Sequence, residues 1–375
     1  MFPTALARAR SVPRRTLPSI YLTCTRQSHA SRWLQAVRTV DMTEEDLGAL
    51  KVNQDRLMKT LHETCAWGTS KRWGRQVKPM ETDQLRRNGP SGPNETGMSR
   101  LALSDADKQA RDWFAETTTA LGCTMTVDAM GNMFAVRPGR RRGPPPTFAG
   151  SHLDTQPSGG RYDGILGVLA GVEMLRVLEE RGIETENAVG VVNWTNEEGA
   201  RFPVSMVASG VWASEIGLEH AHGLREVGGG SGTMRSELER IGYLGSTPAS
   251  HESVPMGAHF ELYIEQGPVL EAHGQKIGVV QGVQAYRWFT VEVQGRDAHT
   301  GTTPLSNRAD ALLLAARCIS HSHVLATMIF VPCRGGVSHN PEEFATDEDC
   351  ALGAAVLLQS VLRFDRLRAT GRVSG

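Results

Sequence analysis

Two short stretches of the sequence place histidine and carboxylate side chains where strands are expected to end. The run S-H-L-D-T at 151–155 follows an apolar segment that predicts a strand, and so does the run N-W-T-N-E-E-G at 193–199. Imidazole and carboxylate groups that meet at strand ends are suitable ligands for a divalent cation. A carboxylate that stays free beside the cation can act as a general base.

Each of these side chains has an expected role. His152 is a candidate metal ligand, and the Asp154 carboxylate two residues on is expected to accept from its imidazole and fix the tautomer. Asp163 lies in a glycine-flanked turn, G-G-R-Y-D-G at 159–164, where it could bridge two cations. Of Glu197 and Glu198, one can bind metal and the other can serve as the base. A lone histidine at a strand end is more often a core residue, so the prediction depends on the combined pattern.

Two further histidines lie in candidate functional turns. His339 follows Gly335 and Gly336 in the run G-G-V-S-H-N, past another predicted strand. His299 stands in A-H-T-G-T-T-P at 298–304, just before a predicted helix.

The hydrophobic pattern of the rest of the sequence predicts the strands and helices that position these histidine and carboxylate side chains. Strands are predicted at 125–127, 133–136, 147–153, 189–194, 259–264, 286–293 and 328–331, and helices at 47–65, 104–121, 165–181, 305–318 and 346–364. The polar segment 218–255 is expected to be a surface excursion. This alternation predicts an α/β fold with a mixed, largely parallel sheet and flanking helices, whose functional groups cluster at strand ends.

Composition excludes several classes of function. Lys and Arg number 40 against 41 Asp and Glu, so no overall basic field attracts nucleic acid. No apolar run reaches the roughly 18 residues needed to cross a bilayer. The six cysteines are widely spaced, so a catalytic metal is expected on His and carboxylate ligands. We expect a small-molecule substrate, with neither nucleic acid nor a membrane as partner.

The amino terminus has a different composition. Residues 1–40 contain seven arginines and no acidic residue. This composition is typical of a mitochondrial transit peptide, with a disordered tail on a cytoplasmic protein as the alternative.

Five motifs together carry a resemblance to a known family. S-H-L-D-T with G-G-R-Y-D-G-I-L-G-V, N-W-T-N-E-E-G-A-R-F, I-E-Q-G-P-V-L-E, A-H-T-G-T-T-P and G-G-V-S-H-N-P-E-E occur in this order between about residues 50 and 364. The chain resembles the N-carbamoyl-L-amino-acid hydrolases, the fungal and bacterial β-ureidopropionases and the allantoate amidohydrolases. These belong to the two-metal aminoacylase and carboxypeptidase superfamily.

The resemblance implies a domain arrangement and a cofactor. A zinc-peptidase-like catalytic domain would span 41–277 and 323–375, with an inserted α+β lid or dimerisation domain at 278–322. Two divalent ions (Zn, Mn, Co or Ni) would activate water for cleavage of an N-carbamoyl or ureido substrate such as N-carbamoyl-β-alanine.

The resemblance also implies roles for single residues. His152 would bind one ion, Asp163 would bridge both, and Glu198 and His339 would bind the other. Glu197 would be the general base, and His299, from the lid, would stabilise the oxyanion of the tetrahedral intermediate. Gln266 would contribute to the substrate pocket.

The chain departs from the family in two places. Tyr263 occupies a ligand position where relatives have the His of H-I-E-Q-G-P, and a phenol is a poor ligand at neutral pH, so that metal site is expected to be weak. The lid segment is shorter than the family's four strands and two helices, which weakens the expectation of the family's homodimer. The alternatives are a peptidase or N-acyl-amino-acid hydrolase of the same superfamily, an inactive shortened relative, or a protein without metal.

Overall fold

The computed structural model describes residues 37–70, 96–280, 294–296, 302, 304 and 330–371. Most of the predicted leader and of the predicted lid lies outside these residues, and so do the predicted strand 286–293, the predicted helix 305–318 and His299. Residues 37–40 of the predicted leader are described, and they belong to the folded unit.

The described strands form one main sheet and two short pairs. In chain order the strands are β1 (Val37–Arg38), β2 (Thr124–Val127), β3 (Met133–Arg137), β4 (Thr147–His152), β5 (Ile183–Glu184), β6 (Val189–Trp194), β7 (Ala258–Phe260), β8 (Tyr263–Ile264) and β9 (Phe330–Val331). The main sheet has the order β2-β3-β6-β4-β7. β3 is antiparallel to β2 and β6, whereas β4 is parallel to β6 and β7. The pairs β1–β5 and β8–β9 are also parallel, so the predicted mixed α/β fold is confirmed.

Nine α-helices are described within these residues. They are α1 (Glu44–Ala49), α2 (Gln54–Thr64), α3 (Asp105–Ala120), α4 (Ile165–Glu180), α5 (Val207–Trp212), α6 (Leu218–His222), α7 (Met234–Ile241), α8 (Val269–His273) and α9 (Asp347–Ala369). Among the described helices, none combines the length and the apolar character that crossing a membrane requires.

The core lies on both faces of the two central strands. β4 and β6 are buried along their whole length, which is why they read as apolar runs rather than as alternating patterns. Helix α4 packs on β4 and against α2 and α9, so it is apolar around most of its circumference. A separate, mainly aromatic cluster contains Phe134, Phe148, Val192 and Trp194.

Two predicted helices differ in detail from those observed. The predicted helix 47–65 is two helices, because Asn53 caps a new helix by accepting from the Arg56 amide. The spacing of Ser104 and Asp107 is that of a capping box, but only one of its two bonds forms, in which Ser104 accepts from the Asp107 amide. The Asp107 carboxylate accepts instead from Leu103 N at 2.7 Å and from Arg111 at 2.8 Å.

The expectation of a surface excursion at 218–255 was only partly correct, because most of its residues are exposed or half-buried but the segment also contributes to the core. This segment contains α6 and α7, and Met234, Leu238 and Ile241 of α7 are buried in a second apolar cluster. These three residues recur at helical spacing and form one apolar face, and the surrounding polar residues masked that signal. The predicted strand 259–264 is also interrupted, with β7 ending at Phe260 and β8 beginning at Tyr263.

A buried carboxylate on the last helix joins the chain's two described ends. Asp365 is 1% exposed and accepts from the Thr39 hydroxyl at 2.6 Å. It also accepts from the amides of Glu186 (2.9 Å) and Asn187 (2.8 Å), and from the Asn187 side chain (2.8 Å). The segment at 37–41 is thereby fixed to α9.

Replacing Asp365 with alanine should lower the free energy of unfolding by about 3–5 kcal/mol, because four buried donors lose their acceptor. Urea unfolding followed by circular dichroism measures this change. Glu348→Ala, an exposed position at the start of the same helix, should change it by less than about 1 kcal/mol. Equal effects of the two substitutions would contradict the assigned role of Asp365.

Candidate metal centre and active site

The candidate site lies at the carboxyl ends of β4 and β6. These strands are parallel and in register, with His152 opposite Trp194 at the last pair. Asp154 and the two adjacent glutamates follow directly in the chain. Carboxyl ends of neighbouring parallel strands open into a crevice at the sheet edge, where α/β proteins usually place their ligands.

His152 is fully buried and has a defined orientation. Its Nδ1 lies 2.9 Å from the Asp154 carbonyl oxygen, whereas the Asp154 carboxylate is 3.8 Å away. The expectation that the carboxylate orients this imidazole was therefore wrong. A carbonyl can only accept, so Nδ1 carries a proton and Nε2 faces the site.

The Asp154 carboxylate instead positions the two glutamates. Its oxygens accept from the backbone amides of Glu197 and Glu198, each at 3.3 Å. Burial raises the pKa of Asp154 to about 7. The Asp154 carboxylate is thus directed to the backbone of the two glutamates.

The adjacent glutamates have different environments. The Glu198 side chain is 5% exposed and receives a hydrogen bond from Gln156 at 2.8 Å. The Glu197 side chain is 28% exposed, and its Oε2 lies 3.4 Å from His152 Nε2. The buried glutamate is suited to binding a cation, and the open one can exchange a proton with water or substrate.

Asp163, Glu198 and His339 form a compact donor group. One ligand atom from each of them lies within 4.8 Å of the others. His339 Nε2 is 3.2 Å from Asp163 Oδ2 and 3.5 Å from Glu198 Oε2. Ligand atoms about 2.1 Å from a tetrahedral ion are about 3.4 Å apart, so this group fits a divalent cation. Two carboxylates and one imidazole without thiolate suit Zn, Mn, Co or Ni.

The charged side chains of the site also favour a bound divalent cation. Burial opposes protonation of His152, but Glu197, Asp154 and Asp163 together raise its pKa to about 10. A hydrogen bond to Asp163 raises the pKa of His339 to about 9. Without a cation, the carboxylates are therefore balanced by protonated imidazoles. A cation bound to His339 would take over this role and leave that imidazole neutral.

Tyr263, the first residue of β8, lies within the same cluster. Its hydroxyl is 2.9 Å from His152 Nε2 and donates a hydrogen bond to Asp163 Oδ1. Burial and the charge of Asp163 raise the pKa of Tyr263 well above its usual value near 10. The phenol therefore stays protonated and acts as a donor at the place where the sequence predicted a weak ligand.

Gln266, the predicted substrate-pocket residue, is directed towards the metal group. Its side-chain amide donates to Asp163 Oδ2 at 3.0 Å and to Ser338 Oγ at 2.6 Å. The sequence reading missed Ser338, whose Oγ lies 3.2 Å from both Asp163 Oδ2 and Glu343 Oε2.

Glu343 is a second residue that the sequence reading missed. It is 6% exposed, and its Oε1 accepts from the backbone amides of Tyr162 (2.9 Å) and Asp163 (3.0 Å). Burial and the charge of Asp163 raise the pKa of Glu343 to about 8. The E-E pair that ends the G-G-V-S-H-N-P-E-E run could have marked Glu343 as a candidate site residue, although not its contact with the turn at Asp163. Glu343 fixes the turn that carries Asp163.

Three non-glycine residues in the loops of the site adopt the left-handed conformation. They are Asn196 (φ 53°), Gln266 (φ 54°) and His339 (φ 53°). Such residues are uncommon and cluster at functional sites, where the surrounding structure holds them. Asn196, for example, donates from its side chain to the Phe202 carbonyl at 3.1 Å. This turn sends the chain sharply away from β6 just before Glu197.

The turn that carries Asp163 requires glycine next to the histidine. Gly164 has φ 66°, and a Cβ built there would lie 2.3 Å from the His152 ring. We predict that Gly164→Ala, through the clash with this ring, displaces the adjacent Asp163 and lowers the affinity for Zn²⁺ at least tenfold, the scale of losses seen when groups supporting metal ligands are changed. Isothermal titration with Zn²⁺ measures this effect. Gly182→Ala, whose Cβ would meet nothing within 4 Å although its φ is also positive, is the matched control. Unchanged affinity in Gly164→Ala would contradict the prediction.

Comparison with known proteins assigns the chain to a family. The profile of peptidase family M20/M25/M40 matches residues 148–363. The chain is 44% identical over 245 residues to an N-carbamoyl-L-amino-acid amidohydrolase of Rhizobium meliloti, covering 65% of this chain and 58% of that protein. It is 33% identical over 235 residues to an N-carbamoyl-L-amino-acid amidohydrolase of Pseudomonas sp. (strain NS671), covering 62% of this chain and 56% of that protein. The chain thus spans little more than half the length of these two relatives.

Solved structures agree with this assignment. An amidase of the hydantoinase/carbamoylase family from Burkholderia multivorans superposes with a TM-score of 0.68 at 30% identity. The superposition covers 85% of this chain and 99% of the solved chain. The matched profile spans more than half of the sequence and includes His152, Asp163, the two glutamates and His339. The chain therefore belongs to peptidase family M20/M25/M40.

Proposed function

We propose that this protein is a metal-dependent amidohydrolase that cleaves the carbamoyl group from an N-carbamoyl-amino acid. One observation carries the proposal: a solvent-accessible carboxylate, Glu197, directly precedes Glu198, a buried member of a compact donor group with Asp163 and His339. The similarity to N-carbamoyl-L-amino-acid amidohydrolases supports the choice of substrate class.

The residues of the chain divide the chemistry between them. A divalent cation held by Asp163, Glu198 and His339 would supply Lewis-acid polarisation of the carbonyl and lower the pKa of water. Glu197 takes a proton from the attacking water, whose oxygen forms a bond to the carbamoyl carbon while the C=O electron pair moves to oxygen. When the C–N bond breaks, Glu197 returns the proton to the amino nitrogen that leaves. The products are the free amino acid and carbamate, which decomposes to ammonia and carbon dioxide.

Other groups support this cycle. Asp154 holds the backbone of both glutamates, which fixes the distance between the base and the metal group. His299 completes the proposal as the donor to the oxyanion, on the strength of the A-H-T-G-T-T-P motif, and it lies outside the described residues.

A panel of substrates tests the proposal on the full chain. Purified protein is stripped with chelator, reloaded with Zn²⁺, Mn²⁺, Co²⁺ or Ni²⁺, and assayed for ammonia from N-carbamoyl-L-amino acids, N-carbamoyl-β-alanine and allantoate. N-acetyl-amino acids and dipeptides are assayed in parallel for amino-acid release. We expect ammonia from at least one N-carbamoyl-amino acid. Cleavage of only dipeptides or N-acetyl compounds would replace the proposal with the peptidase or acylase alternative, and no cleavage with any metal would contradict it.

A further inference from the structure

Tyr263 lies among donors that could form a second cation site. Besides the group formed by Asp163, Glu198 and His339, a second set of donors faces the same space. In that set, His152 Nε2 lies 3.7 Å from Asp163 Oδ1 and 3.4 Å from Glu197 Oε2. By donor type and separation, this second set could hold another cation.

The phenol hydroxyl already occupies the gap between these donors. Its oxygen is 2.9 Å from His152 Nε2 and hydrogen-bonded to Asp163 Oδ1. An ion bound to both atoms would lie about 2.1 Å from each of them, and therefore in the space that the hydroxyl fills.

None of the three side chains has room to withdraw. Tyr263 is 7% exposed and begins a strand that pairs with Phe330. His152 is fixed by the Asp154 carbonyl on one side and by close contact with Gly164 on the other. The backbone of Asp163 is held because its amide and that of Tyr162 donate to Glu343, and its carboxylate accepts from the side-chain amide of Gln266.

We propose that the Tyr263 hydroxyl replaces a second cation, so that this chain holds a single divalent ion, on Asp163, Glu198 and His339. The inference rests on the proposed function, because it concerns the metal of the same site. It implies that His152 acts as a hydrogen-bonded neighbour of that site rather than as a metal ligand.

Metal stoichiometry tests this inference on the full chain. Protein loaded with Zn²⁺, passed through gel filtration and measured by inductively coupled plasma mass spectrometry should contain about one ion per chain. Tyr263→His should raise the content to about two, because an imidazole offers a nitrogen ligand and is shorter than a phenol, which leaves space for the ion. Tyr243→Phe, which removes a phenol hydroxyl bonded to Asp112 outside the site, should stay at about one.

A second measurement needs no variant. Protein loaded with Mn²⁺ should give the electron paramagnetic resonance spectrum of an isolated ion, whereas an exchange-coupled pair would overturn the inference. Two ions in the unmodified chain, or one ion in a folded Tyr263→His variant, would overturn it as well. Two ions would contradict only the single-ion inference, whereas no bound ion in the unmodified chain would also contradict the proposed metal-dependent function. The two failures can therefore be told apart.

Discussion

Replacing Glu197 with glutamine should lower kcat for N-carbamoyl-amino-acid hydrolysis by about 10²- to 10⁴-fold, the range for loss of a general acid–base residue. The amide cannot accept the proton from water, although it keeps nearly the same shape. Bound metal should stay at the unmodified level, because the cation is assigned to Asp163, Glu198 and His339. Steady-state ammonia release and metal content, measured on the same preparation, give both quantities.

The control for this substitution is Glu219→Gln, an exposed glutamate in α6. It should leave kcat within about twofold of the unmodified protein, since surface substitutions rarely affect chemistry. If Glu197→Gln kept full activity, Glu197 would not be the base. If it lost activity together with its metal, the division of roles between the adjacent glutamates would be wrong.

Replacing Asp163 with asparagine should remove most of the bound cation and lower the rate of hydrolysis at least in proportion. Asp163 is 2% exposed and lies at the centre of the cluster, within hydrogen-bond distance of Tyr263, Gln266 and Ser338. An amide is a weaker ligand than a carboxylate and carries no charge to offset that of the ion. Zn²⁺ content after gel filtration should fall by about tenfold or more.

Asp55→Asn, an exposed aspartate in the first turn of α2, is the matched control for Asp163→Asn. Its metal content and activity should equal those of the unmodified chain. Retention of the cation in a folded Asp163→Asn variant would show that the metal binds elsewhere, and would remove the basis of the proposed function.

Strong local signals explain why much of the fold could be predicted. The predicted strand 189–194 matches β6, and the predicted helix 165–181 matches α4 to within one residue. Both are long and apolar, and a glycine follows α4 as its stop signal. The polar residues around α7 weakened the corresponding signal there, so its buried face was missed.

The sequence indicates where several candidate site residues lie, but not which contacts they make. The sequence places His152 and Glu198 at strand ends, and the parallel register of β4 and β6 brings them together. Nothing local to Glu343 indicates that it binds the amides of the turn at Asp163, because that contact joins residues 180 positions apart. The bond from Tyr263 to Asp163 is likewise a consequence of tertiary structure, since these residues are 100 positions apart.

Whether a bound cation drives hydrolysis can be measured as the release of ammonia from an N-carbamoyl-L-amino acid by the full chain, before and after chelation and reloading with metal. We predict that release stops when the cation is removed, returns when it is restored, and matches the free amino acid mole for mole. Release that persists in the chelated protein, or a reloaded protein that frees no ammonia, would contradict it.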